Sequence, residues 1–315
     1  MNQTTTERTF SPEGYIYVAI AASGWGLWPL ILHHAPVPLL IQATIAIAVP
    51  TIVTAPICYF PKTASLPTNR QKAALAAFGF SDLIGLLCFF GALRLTTVPI
   101  AVLTHYLSTF LLPIATIALR IEKPRIRTFT AVTIALTGLV MLLSPWNSTI
   151  HSHDLAGAAL GSTSAIFSTG NILLTKRLAR SLAPTQLMFY HGLAILPALL
   201  IAIPLITDLS TVTAKATAVV TLGALGPGTI GVIFFFSGLK RIPASHTGVL
   251  TLLEPFVAIL IAMFFMNEPH ELFTLTGGLL ILAGAIIVIE PFKKPTPTPE
   301  SRSHTAVPHT QPEAL

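Results

Sequence analysis

Charge is missing from long stretches of this chain. No Asp, Glu, Lys or Arg occurs within residues 14–61, 95–119, 128–153, 155–175, 181–207 or 216–239. Runs of this length cannot form the surface of a water-soluble domain, in which roughly 25% of residues are charged. Here 10% are charged and 53% are hydrophobic. A helix needs about 20 apolar residues to cross the roughly 30 Å hydrocarbon layer of a bilayer. The 315 residues therefore read as an all-α integral membrane protein, with the lipid bilayer as its first partner. A disordered chain, a coiled coil and a disulfide scaffold are excluded, since Cys58 and Cys88 both fall inside apolar runs. The first 14 residues are polar and no short apolar segment with a small-residue cleavage site follows them, so no cleaved signal peptide is expected.

Cutting the apolar runs at charges, prolines and glycine clusters predicts ten transmembrane helices, at 15–33, 38–60, 72–93, 96–119, 127–145, 155–176, 184–207, 216–239, 243–266 and 272–291. The 48-residue run from Gly14 to Pro61 must turn once, and His33-His34-Ala35-Pro36-Val37-Pro38 is the place, because each Pro removes a helical hydrogen bond. Positive loops stay cytoplasmic. A cytoplasmic N-terminus puts sixteen of the eighteen Lys and Arg inside and leaves only Arg94 and Lys215 outside. The net charge of +6 is then accounted for by orientation, and no nucleic-acid partner is needed to explain it. The expected organisation is a cytoplasmic tail at 1–14, a five-helix repeat at 15–146, a second at 155–292 and a disordered cytoplasmic tail at 293–315, rich in Lys, Pro and Thr at its start.

The division into two repeats rests on a shift of 146 residues. It sets Ile84–Arg94 on Ile230–Lys240 with five of eleven positions identical, and it pairs Leu107 with Leu253, Phe110 with Phe256 and Glu122 with Glu268 without a gap. Five spans per half is an odd number, so the second half enters the membrane from the opposite face. The expected fold is two inverted five-helix repeats, a plan whose substrate site lies near the midplane between the halves.

The segment from Leu253-Glu254-Pro255-Phe256 to Met266-Asn267-Glu268, followed by Gly277-Gly278 and Gly284, resembles the C-terminal repeat signature of the EamA-like drug/metabolite transporter superfamily. Thr104-His105-Tyr106-Leu107-Ser108 with Glu122 is similar to the N-terminal counterpart, and Trp25-Gly26 to the first-span motif. The resemblance covers about residues 15–292 and implies a ten-span bacterial inner-membrane transporter that moves amino acids, other small metabolites or drugs, commonly outward. One position departs from it. Thr109 stands where the family usually carries Pro, and Pro113 follows one turn later, so the kink of the fourth span is expected to shift toward Pro113.

A charge at the bilayer centre costs roughly 2.5–3.5 kcal/mol or more, which makes an intramembrane acid a functional candidate. Two such acids occur, Asp82 in the third span and Glu254 in the ninth. His105, Ser108 and Thr109 follow helical spacing on one face of the fourth span, and their repeat mates Thr251, Glu254 and Pro255 share a face of the ninth. The two faces are expected to meet across a cavity, where a His opposite a carboxylate carries protons or binds a charged substrate. In the sixth span Gly157, Gly161, Ser164, Ser168, Asn171 and Thr175 form one stripe. Small residues in such a stripe let helices pack closely, but Asn171 is large for that purpose and is the member expected to face substrate. Trp25 completes the candidate substrate-binding set of Asp82, His105, Ser108, Thr109, Asn171, Thr251 and Glu254. His191 and Gln42 read more naturally as structural. His151-Ser152-His153-Asp154 is read as an ordinary polar loop and not a metal site, and no cofactor is expected.

A membrane enzyme fits poorly. His-Glu-x-x-His, a Gly-x-Ser-x-Gly elbow and a Gly-Lys-Ser/Thr phosphate loop are all absent from the sequence. A channel would need a filter motif. The expected function is export of small polar metabolites, foremost amino acids or related compounds, by alternating access. The partners are a small-molecule substrate and protons as the candidate coupling ion, in a monomer or homodimer. The alternatives are a facilitative permease, a multidrug exporter of hydrophobic cations, and a membrane receptor or structural protein.

Overall fold

The computed structural model describes residues 11–35, 37–59, 66–123, 125–147, 151, 153–210, 212–266 and 272–289. Residues 1–10 of the expected N-terminal tail, the C-terminal tail, Pro36 of the expected turn, Ser152 and Glu268 lie outside the described residues, and Pro12–Gly14 belong to the first helix. Everything regular among the described residues is helical and no strand occurs there. The helices are α1 (Pro12–Trp25), α2 (Trp28–His34), α3 (Leu39–Tyr59), α4 (Asn69–Leu95), α5 (Val98–His105), α6 (Ser108–Ala118), α7 (Ile126–Leu143), α8 (Asp154–Leu178), α9 (Pro184–Ile206), α10 (Ala214–Gly223), α11 (Gly231–Leu239), α12 (Ala244–Thr251), α13 (Leu253–Phe265) and α14 (Leu272–Val288). A π-helical segment, Ala224–Ile230, joins α10 to α11.

Local chemistry sets these boundaries. Pro12 and Pro184 open α1 and α9 in the first turn, where a missing N–H costs nothing. Thr68 and Gln71 cap the start of α4 reciprocally. Pro227 has no N–H to give, and the turn around it widens from α to π.

Seven segments among the described residues are long and apolar enough to cross a membrane: Leu39–Cys58, Asn69–Leu95, Val98–Ala118, Ile126–Asn147, Pro184–Leu205, Ala214–Leu239 and Ala244–Phe265. The protein is thus an integral membrane protein, and seven of the ten expected spans meet that length and apolarity, while those at α1–α2, α8 and α14 do not. The differences have physical reasons. The first expected span is divided into α1 and α2 by a turn at Gly26-Leu27. The helix α8 spans 25 residues, but the Gly, Ser, Thr and Asn residues along it lower its apolarity. The helix α14 is apolar but stops at 17 residues.

The shift of 146 residues extends from sequence into structure. It carries the whole of α5 onto α12, the start of α7 onto the start of α14, and the starts of α3 and α4 to within one residue of those of α9 and α10. Contacts are reciprocal under the same exchange. Helix α4 packs on α8 as α11 packs on α1, and α5 packs on α8 as α12 packs on α1. The pairs α3 with α9 and α7 with α14 bring each helix against its own counterpart.

Close approach of backbones needs glycine, because lipid supplies little hydrophobic drive between helices. At α7–α14 a Cβ on Gly277 would lie 2.5 Å from both the Gly138 carbonyl oxygen and the Leu142 nitrogen. Residues Gly157 and Gly161 do the same for α8, where an added Cβ would meet Thr96 and Thr104.

Side chains seal the helix ends. The Glu122 carboxylate accepts from the backbone N–H of Ala244 (2.5 Å) and Ser245 (3.4 Å) and from the Ser245 hydroxyl, capping α12. The Lys176 ammonium donates to the carbonyls of Leu239 (3.0 Å) and Ile242, at the end of α11. At the start of α8, Asp154 accepts from the His151 N–H (2.5 Å) and the Thr96 hydroxyl (2.6 Å), donors that hold its carboxyl below the ordinary carboxylate range.

Gly277→Val drives a side chain into the α7 backbone and is expected to cost about 1–3 kcal/mol or more, lowering the thermal midpoint of the detergent-solubilised protein by several degrees. Gly24→Ala, with nothing within 4 Å of the new carbon, leaves it unchanged or slightly higher. Equal midpoints for the two variants contradict the packing at α7–α14.

Candidate functional site

A cavity of about 440 Å³ lies among α1, α3, α4, α5, α6, α8, α9, α11, α12 and α13. Two broken helices form one side of it. The fourth span stops at His105 and restarts at Ser108, and the ninth stops at Thr251 and restarts at Leu253. The break in the fourth span is at the register of the break in the ninth, not displaced toward Pro113, although Thr109 replaces the counterpart of Pro255. Its position follows instead from the turn at Tyr106-Leu107, where Leu107 N–H reaches back to the Thr104 carbonyl at 3.4 Å and Thr109 N–H to that of Tyr106 at 2.9 Å. Irregular backbone at membrane depth is tolerated where it borders a cavity.

Asp82 projects into this space from the middle of α4, with 36% of its side chain exposed. Its carboxylate is held at both oxygens. Asn171 Nδ2 on α8 donates to Oδ1 at 2.9 Å, and His191 Nε2 on α9 donates to Oδ2 at 3.0 Å. The imidazole of His191 stacks on Phe78 at 4.3 Å between centroids, which fixes its plane.

Glu254 lines the same cavity, with the Tyr106 hydroxyl near its carboxyl. His105 also lines the cavity, and its Nδ1 is 2.9 Å from Ser164 Oγ. The single hydrogen of Ser164 goes to the Gly85 carbonyl at 2.8 Å. His105 is therefore the donor through Nδ1–H, which leaves Nε2 as the acceptor of the ring. Trp25 donates its indole N–H to the Pro227 carbonyl at 3.1 Å and packs on Phe235 at 5.1 Å. Its repeat counterpart is Asn171, so the same register position in each half donates to the helix it faces, Trp25 to the π-helical segment and Asn171 to α4.

Of the eight residues singled out on the sequence, Trp25, Asp82, His105, Ser108, Asn171, Thr251 and Glu254 line the cavity. Thr109 is corrected: it is buried at the α6–α12 contact, donating to the Gly248 carbonyl at 3.0 Å, and is not part of the lining. The single face expected for His105, Ser108 and Thr109 is divided by the helix break. The sixth-span stripe also divides by size, with Gly157 packed on Thr96 in the α4–α5 turn and Gly161 on α5, while Ser164, Ser168, Asn171 and Thr175 border the cavity. Gln42 is outside the lining.

Sequence reasoning undervalued His191, which shares the Asp82 carboxylate, and passed over Tyr106 and Phe78. A lone apolar-span His carries no pattern of its own, and Tyr106 was visible only as a member of the motif around His105. Among the described residues no cluster of three His, Cys, Asp or Glu side chains is placed to hold a metal. The lining has acids, neutral donors and aromatic walls but no Lys or Arg, so it can hold a compact solute that brings its own positive charge.

With Cys58 and Cys88 replaced by Ser, Ser168→Cys is expected to react with a small methanethiosulfonate reagent. Thr169→Cys, one position on at a buried site bonded to the Ala165 carbonyl, stays unmodified. Equal labelling of the two contradicts the cavity.

Comparison with known proteins agrees with this architecture. Residues 155–290 match the model of the EamA-like transporter family. An Archaeoglobus fulgidus protein named as an uncharacterized transporter is 27% identical over 224 residues, which cover 70% of this chain and 76% of the relative. A protein of known crystal structure superposes with a TM-score of 0.74 over 87% of this chain and 97% of its own, at 21% identity, a likeness of fold. The second half of the chain is thus similar to an EamA-like transporter domain, and the relative it resembles is named as a transporter.

Proposed function

We propose that the chain is a secondary transporter that exports small amine-bearing metabolites, foremost amino acids or related compounds, by alternating access. In this reading ten spans form two inverted five-helix repeats, α8 and α14 cross the membrane with the seven segments named above, and α1 with α2 forms the first span. The reciprocal contacts between the halves support the twofold relation, and an odd number of spans per half makes it an inversion. Both termini are cytoplasmic, in a bacterial inner membrane, as the Lys and Arg distribution favours. The substrate is a small molecule, the coupling ion is the proton, and no nucleic acid is involved.

The observation that carries the reading is the Asp82 carboxylate, held by His191 and Asn171 inside a cavity bordered by two helix breaks. A carboxylate at membrane depth needs a reason to be there, and with no Lys or Arg in the lining a polyanion has no partner. Glu254 and Tyr106 on the opposite wall give the second half an acid of its own.

Cells with the chain are expected to release an amine-bearing compound that cells without it retain, by untargeted comparison of the medium. Asp82→Asn, which keeps the shape and removes the charge, cuts that release at least tenfold at unchanged protein level. Release that persists undiminished in Asp82→Asn and in Glu254→Gln contradicts a role for either acid. A reporter active only outside the membrane is silent when fused at residue 315 and active at Leu209; the reverse pattern contradicts the orientation.

A further inference from the structure

The reciprocal packing divides the helices around the cavity into two bundles, α4, α5, α6 and α8 on one side and α1, α11, α12 and α13 on the other. Helix α6 packs on α12 and joins them, and polar links cross between the helix breaks and one end of the molecule. Glu122, just beyond α6, accepts from the Ala244 and Ser245 N–H groups and the Ser245 hydroxyl at the start of α12. Lys176, near the end of α8, donates to the Leu239 and Ile242 carbonyls where α11 finishes. Thr109, at the start of α6, donates to the Gly248 carbonyl at 3.0 Å. The helices meet closely there: a Cβ on Gly248 would lie 3.2 Å from Leu112 Cδ2 and 3.4 Å from Thr109 Cα. His246 fixes the start of α12, with Nδ1 2.8 Å from the Tyr15 hydroxyl of α1 and Nε2 3.3 Å from the Thr128 hydroxyl of α7. This is the end assigned above to the cytoplasm.

The opposite end is unlike it. Exchange of the two repeats turns the α6–α12 contact into one between α13 and α5, and among the described residues no comparable packing joins those helices. The 146-residue register also removes the side-chain donors of the links. Lys176 is matched by Leu30, Ser245 by Pro99 and Thr109 by Pro255, while Gly248 is matched by the larger Val102. His246 and Tyr15 are matched by Ile100 and Gly161. When two inverted repeats exchange conformations, each end closes through the counterparts of the contacts that close the other. One closure of this chain is therefore made with an ammonium, a carboxylate and hydroxyls, and the other with apolar surfaces.

We propose that Glu122, Lys176 and Thr109 form a one-sided latch, so that the chain rests with its cavity closed to the cytoplasm and open to the outside, and that closure of the outer end sets Val102 against Pro255 and Ala258. The inference rests on the alternating-access reading above and names its resting state and its two gates. Two conformations are populated according to the interactions that each makes. Hydrogen bonds with an ionised partner are the stronger kind, and apolar contact between helices gains little where lipid is the alternative. The latched state is the favoured one on both counts. Opening toward the cytoplasm parts Lys176 from its carbonyls and Glu122 from the start of α12, and the apolar outer closure offers no side-chain donor in exchange.

The full chain with Cys58 and Cys88 replaced by Ser carries Ser168→Cys as a reporter in the cavity. A charged, membrane-impermeant methanethiosulfonate is added to right-side-out and to inside-out vesicles. Arg70→Cys and Leu209→Cys, at exposed positions of opposite ends, show which face holds which end, so the result does not depend on the orientation. Ser168→Cys is expected to react from the face that labels Leu209→Cys, and about tenfold or more slowly from the face that labels Arg70→Cys. Lys176→Leu and Thr109→Pro each install the residue of the counterpart position. Each is expected to raise labelling from the Arg70 face about tenfold or more and to speed the disulfide between Val102→Cys and Ala258→Cys. Thr169→Cys stays unmodified as the mark of a folded chain, and either folded variant alone decides. Labelling of Ser168→Cys that is equal from both faces, or faster from the Arg70 face, overturns the resting state without any latch variant. Labelling that stays on one face in the variants overturns the latch, and a disulfide that forms no faster overturns the outer contact. Two-faced labelling in cells that still release the amine-bearing compound removes the gate and leaves transport standing, whereas one-faced labelling without release leaves the gate and removes transport.

Discussion

A carboxylate in a hydrocarbon layer survives only if its charge is met, and the two donors on Asp82 set much of the arrangement around it. Asn171 Nδ2 ties α8 to α4 and His191 Nε2 ties α9 to α4, so three helices converge on one side chain. Phe78 beneath His191 and the Ser164 hydroxyl between His105 and Gly85 hold the neighbouring rings in place. The cost of an intramembrane charge, roughly 2.5–3.5 kcal/mol at the least, makes this convergence hard to explain by packing alone. Leu or Phe would bind the same helices more cheaply.

The two halves share a frame but divide the chemistry between them. Trp25 and Asn171 occupy the same register in α1 and α8, and each donates to the span it faces, Trp25 to the Pro227 carbonyl and Asn171 to Asp82. Where the first half places an acid, the second places Gly228 in a π-helical turn. Where the second half places Glu254, the first places Ser108. The duplicated frame supplies two helix breaks facing one cavity, and the differences between the copies supply an acid on each wall in unlike surroundings. A symmetric site would present the same group to both walls. This one offers Asp82 with imidazole and amide donors, and Glu254 with a phenol.

Most of the helical frame was legible in the sequence because lipid leaves few choices: charge-free runs, prolines between them and a 146-residue register mark α3 to α14 to within a few residues. Asp82, Glu254 and Asn171 were legible for the same reason, since a polar residue in an apolar helix stands out. His191 and Thr109 were not. Both lie in apolar spans at positions where only tertiary contact assigns a role, and contact gave His191 a carboxylate and Thr109 a backbone carbonyl across α12. The break in the fourth span was misplaced because a proline was taken as its cause, whereas the chain turns at Tyr106-Leu107 with no proline there. Fewer segments meet the length and apolarity of a span than expected, since Gly, Ser, Thr and Asn lower the apolarity of α8, α14 stops at 17 residues and the first span is broken at Gly26-Leu27.

The central claim is that the two halves move about this cavity so that it opens to one side at a time. Double electron–electron resonance on two spin-labelled pairs tests it most directly: Lys123 with Arg177 at one end, and Leu155 with Lys215 at the other, in lipid nanodiscs across a pH titration. The account predicts two populations at each pair, with the short distance at one end gaining weight as the long distance gains weight at the other. Distances that stay fixed at both ends, or that lengthen together, would contradict alternating access.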